Sequence, residues 1–187
     1  MGALMICLVA SAVSAFGGRW FLTARAVSAR LGGWAGPVAA LASALIAAMA
    51  AAILGGTIAA QIVGPGMLLF LSLALLFAGA AMVWPTKPPG ERILRSARGP
   101  VSGFILLLAA MLSDSAPFII LAAAAWSGEV GLAMLGGVAG LIAAAMVALF
   151  PAELPISDAL MRRIRLGAGV LILLIGAVTA LTALGLL

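Results

Sequence analysis

The chain has 187 residues, 66% hydrophobic and 8% charged, with no histidine or tyrosine, one cysteine and a formal charge of +5. That composition excludes a soluble globular domain, an intrachain disulfide, histidine-based acid–base catalysis and Cys/His metal sites. It predicts an all-α polytopic membrane protein with little mass outside the bilayer.

Six apolar runs of roughly membrane-spanning length follow in order. The first, Ala3 to Ala24, has no charge before Arg19. It lacks the basic start and short core of a signal peptide and is read as a retained first helix. The Met-Gly start lacks the hydroxyl residue that myristoylation needs. Lone Cys7 is read as a small hydrophobe. A polar stretch at 25–33 leads to the second run, Pro37 to Ala59, and residues 61–66 lead to the third, Gly66 to Trp84. A basic linker at 86–100 precedes the fourth run, Val101 to Ala125. The fifth is Val130 to Phe150, and the sixth, Gly167 to Leu187, follows a polar loop at 151–166. The domains expected are a first three-helix unit at 1–85, the linker at 86–100 and a second unit at 101–187.

The basic residues orient these runs. Loops after runs one, three and five hold Arg25, Arg30, Lys87, Arg92, Arg95, Arg98, Arg162, Arg163 and Arg165; loops after runs two and four hold none. Short cytoplasmic loops carry the Lys/Arg excess, so both termini are expected outside. Nine arginines against one lysine, with abundant Ala and Gly, read as a GC-rich bacterial composition, hence a bacterial inner membrane. The positive charge is accounted for by orientation, and nucleic acid is not an expected partner. The expected partners are the lipid bilayer and a small ion or proton; self-association into a homo-oligomer is left open. No cofactor is expected.

The two halves look like copies. At an offset of 96 residues, Leu45-Ile46-Ala47-Ala48 falls on Leu141-Ile142-Ala143-Ala144, and Gly32 on Gly128. One residue further, Phe77-Ala78-Gly79-Ala80 falls on Leu174-Ile175-Gly176-Ala177. An odd number of helices per copy makes the second enter the membrane upside down, an arrangement that places sites at the midplane. Gly136, Gly137 and Gly140 predict close helix packing. Trp20, Trp84 and Trp126 are read as interface anchors.

The charges inside apolar runs mark the site. In the same register, Ala15-Phe16-Gly17-Gly18-Arg19-Trp20 falls on Met111-Leu112-Ser113-Asp114-Ser115-Ala116. Intramembrane charges are rare and are usually paired or functional. Asp114 is read as a proton carrier or solute ligand, or else as the structural half of an ion pair with Arg19. Arg19 pairs, snorkels or touches substrate. Ser113 and Ser115 serve the site or bond backbone carbonyls. Pro117 either breaks run four or is a tolerated kink. Glu153, between Pro151 and Pro155, is a candidate cytoplasmic gate in an otherwise solvated loop. An enzyme is not expected, because Ser-Asp-Ser is the sole nucleophile cluster and has no base.

These residues resemble the motif of the transmembrane protein 165 family of Ca²⁺/Mn²⁺:proton exchangers, Glu-x-Gly-Asp-Lys/Arg-Thr/Ser, once per repeat. The first copy also ends Ser28-Ala29-Arg30-Leu31-Gly32, similar to the family's Ala-Arg-x-Gly. The resemblance spans all six runs and implies a transport site at Gly17, Gly18, Arg19, Ser113, Asp114 and Ser115. It departs at the carboxylates. Ala15 and Met111 stand where the family has Glu, Gly18 stands for one Asp, and Asp114 alone is kept. Ca²⁺ needs several oxygen ligands at about 2.3–2.6 Å. One acid beside one base leaves a neutral site. The resemblance therefore implies a metal at Asp114 only if the family's function is retained; otherwise the specificity is altered. The other reading is a non-transporting membrane scaffold or partner subunit.

Overall fold

The computed structural model describes residues 2–62, 65–149 and 158–186. Among them the chain forms nine α-helices and no strand: α1 Gly2–Ala15, α2 Arg19–Leu31, α3 Ala35–Ala59, α4 Pro65–Val83, α5 Glu91–Leu94, α6 Pro100–Leu112, α7 Ser115–Ser127, α8 Val130–Leu149 and α9 Asp158–Ala183. The protein is all-α and of the polytopic membrane class. Four of these helices are long and apolar enough to cross a bilayer, or six spans result if each bent pair counts as one.

The bent pairs correct the sequence reading. The first apolar run is two helices, α1 and α2, meeting at 64°; the fourth is α6 and α7, meeting at 61°. The first break falls at Phe16–Gly18, where Gly17 takes φ +65°, a conformation L side chains avoid. Helix then continues through Arg25 and Arg30 to Leu31, so most of the expected 25–33 loop is helical. The second break is at Ser113–Asp114; Pro117 sits inside the first turn of α7, where its missing N–H costs nothing. α2 ends at Gly32 and α7 at Gly128, both with positive φ. The N-caps Gly18 and Asp114 and these C-caps thus share the offset of 96 found in the sequence. The expected loop at 151–166 is also shorter, since α9 begins at Asp158.

Small residues let the helices touch. α3 lies at the centre against α6, α7 and α8, while α1 packs on α8 and α4 on α9. The face of α3 is Ala40, Ala44, Ala48 and Ala52, all buried. Gly136 and Gly140 of α8 lie directly on the backbone of α1, where any Cβ would strike the carbonyls of Leu4 and Leu8. Gly79 and Gly169 do the same between α4 and α9. Within hydrocarbon no water is displaced by helix association, so close van der Waals contact holds such a bundle together. Leu171, Leu174 and Phe77 point outward and are more than half exposed, as a lipid-facing surface requires. Trp84 and Trp126 are exposed as well. Trp20 is fully buried and donates Nε1–H to Ser43 Oγ at 3.1 Å; it is a core residue rather than an interface anchor.

Candidate functional site

The two breaks meet on one carboxylate. A helix N-terminus leaves N–H groups without intrahelical acceptors. Asp114 is the N-cap of α7 and accepts from Ser115 N at 2.8 Å through Oδ1. The N-cap of α2 is Gly18, which has no side chain to offer. α2 borrows the same aspartate: Trp20 N donates to Asp114 Oδ2 at 3.1 Å. One anion therefore receives the N-terminal dipoles of two half-helices, each of which favours negative charge. Asp114 is 4% exposed.

Gly18 makes that crossing possible. A Cβ there would overlap the Asp114 carboxylate, with Cγ at 2.9 Å. A side chain at position 18 would thus occupy the space the Asp114 carboxylate fills. The Ser115 hydroxyl lies 3.4 Å from both Asp114 Oδ1 and Ser14 O, and its single proton bridges toward one of them. Ser113 faces away, half its break exposed, and donates to Ala110 O at 2.9 Å. Of the six sequence-predicted site residues, Gly17, Gly18, Asp114 and Ser115 come together.

Arg19 does not join them as an ion partner. It starts α2 with its side chain exposed. Among the described residues the sole ion pair within 4 Å is Arg95–Glu91, an exposed pair on α5. The buried cation near this centre is Arg165, which the sequence reading left in a solvated loop. Arg165 is 5% exposed. Its Nε donates to Met82 O at 3.2 Å and its Nη2 to Ala81 O at 3.0 Å. Those carbonyls belong to the last turn of α4, so the guanidinium caps a helix C-terminus, where positive charge is favoured. Its stem passes Gly17, with Cδ 4.0 Å from where a Cβ would stand. A signal for Arg165 existed: it falls four residues after buried Met161 and four before buried Gly169, a charge interrupting an apolar stripe at helical spacing. Glu153, with Pro151 and Pro155, lies outside the described residues.

Among the described residues Asp114 is the one acidic side chain at this centre, and no three acidic or soft ligands gather in a metal-sized group. Both of its oxygens already accept backbone N–H groups. The arrangement suits a compensated anion better than a caged divalent cation, which needs more oxygens than one carboxylate supplies. No family model matches this chain, and neither does any curated protein or solved structure.

Proposed function

We propose that the chain is a membrane transporter related in architecture to the two-repeat cation:proton exchangers, with Asp114 as its protonatable centre and a solute other than a tightly bound divalent cation. The observation that carries this reading is the convergence of two broken helices on one buried carboxylate. Discontinuous helices whose half-helix N-termini point at a common site are a device of transporters. Caps recurring at one offset support two repeats, and the head-to-head meeting of α2 and α7 supports their inversion. Arg25, Trp84 and Arg162 line one cavity, so the three basic segments share an end of the bundle. That supports six spans in a bacterial inner membrane with the basic end cytoplasmic and both termini outside.

A second reading has its own support. Asp114 is so fully satisfied by backbone donors that it serves equally as a staple in a non-transporting scaffold. Ser115→Cys separates the two. Ser115 is wholly buried beside Asp114, and Cys7, also wholly buried, is the internal control. Alternating access predicts that the new thiol reacts with a membrane-impermeant maleimide from each face of sealed vesicles while Cys7 stays protected. Protection of both thiols from both faces would remove the transporter reading in favour of the scaffold.

A further inference from the structure

A cavity of about 590 Å³ opens beside the central site, between α2, the segment after α4, and the start of α9. Its size is that of a small-molecule pocket. Three arginines line it, Arg25 from α2 and Arg162 and Arg165 from α9, and among the described residues its lining carries no acid. Arg25 is half-buried and Arg162 exposed, so the cavity is basic from its mouth to its floor. Its floor is rigid: Arg165 is anchored through Nε and Nη2, and Thr86 Oγ1 ties the wall to Gly17 O at 3.1 Å. Among the described residues the third guanidinium nitrogen, Nη1, is buried without a hydrogen-bond partner.

We propose that this cavity binds a phosphate group. Guanidinium forks match the oxygens of phosphate. A tetrahedral phosphate presents more acceptor oxygens than a carboxylate and can be approached by arginines from two helices. Two sources present the same chemistry. One is free phosphate or a small phosphate ester; the other is an anionic lipid headgroup, for which basic pockets between membrane helices are suited. The inference goes beyond the proposed function, since the cavity binds phosphate whether or not the protein transports.

Trp84 lines the cavity and is 76% exposed, so it reports on occupancy. The full chain in a neutral detergent is titrated with inorganic phosphate, with dihexanoyl phosphatidic acid and with dihexanoyl phosphatidylcholine, reading tryptophan fluorescence. The expected result is a saturable change with phosphate or phosphatidic acid and none with phosphatidylcholine. It disappears in Trp84→Phe and weakens about tenfold or more in Arg25→Gln and in Arg162→Gln, each of which loses one charge-assisted contact. A response to inorganic phosphate identifies a free anion as sufficient; a response to phosphatidic acid alone identifies the lipid. Thermal stabilisation of the wild type by the same probe is the parallel readout, independent of how the variants behave. No response and no stabilisation with either phosphate probe, or a response that both arginine variants retain in full, would overturn the proposal.

Discussion

Exchanging residues 18 and 114 should restore what either change alone destroys. Gly18→Asp places a second carboxylate on top of the first. Two like charges at 4 Å repel by about 4 kcal/mol at an effective dielectric of 20, and the overlap with Asp114 makes the geometry worse. Asp114→Gly removes the acceptor for Trp20 N and Ser115 N, leaving two buried donors unsatisfied at roughly 1–3 kcal/mol each. The double variant carries one carboxylate again, now as the side-chain cap of α2 and within reach of α7. Because the two caps occupy equivalent positions, the double variant should be more stable than either single one. The coupling should exceed the roughly 0.5 kcal/mol expected of independent sites. Thermal unfolding of the four proteins in detergent measures it. Losses that simply add would contradict the equivalence of the two breaks.

Arg165→Ala should be the most damaging single change outside the breaks. The side chain makes two hydrogen bonds from a charged donor to Ala81 O and Met82 O, each worth about 1.5–3 kcal/mol. A loss of about 3 kcal/mol lowers Tm by on the order of 10 °C for a chain of this size. Arg165→Lys keeps the charge but not the fork, and falls between. Arg163→Ala, at an exposed position, should leave Tm unchanged. Equal melting of Arg165→Ala and Arg163→Ala would show that the buried arginine holds nothing.

The fold class and most of the helices were legible because hydropathy over about 20 residues records burial in lipid directly. The break in run one was not, and the break in run four was offered only as one reading of Pro117. Each lies inside a continuous apolar run, so hydropathy passes over it unchanged. The glycines Gly17 and Gly18 and the Ser113-Asp114 pair were visible as motif residues, but nothing in composition says that a chain turns there by about 60°. The two breaks stand at the offset of 96 that also aligns Gly32 with Gly128. The pairing of Asp114 with Arg19, one of the alternatives, fails for a physical reason. Arg19 is near in the alignment of repeats, yet at the start of α2 its side chain turns outward while its neighbour's backbone N–H turns inward. Arg165 was assigned to solvent because three arginines in four positions read as a loop, whereas α9 runs through them and buries one face. Trp20 was misplaced with Arg19: the apolar run was taken to end near it, and the helix instead continues.

The two oxygens of the buried Asp114 carboxylate accept from the N-termini of two helices, and among the described residues no group of acids gathers there to cage a divalent cation. Uptake of Mn²⁺ and Ca²⁺ into proteoliposomes, comparing wild type with Asp114→Asn, tests it most directly. No uptake by either protein above that of empty liposomes is expected. Saturable uptake by the wild type that Asp114→Asn abolishes would contradict it.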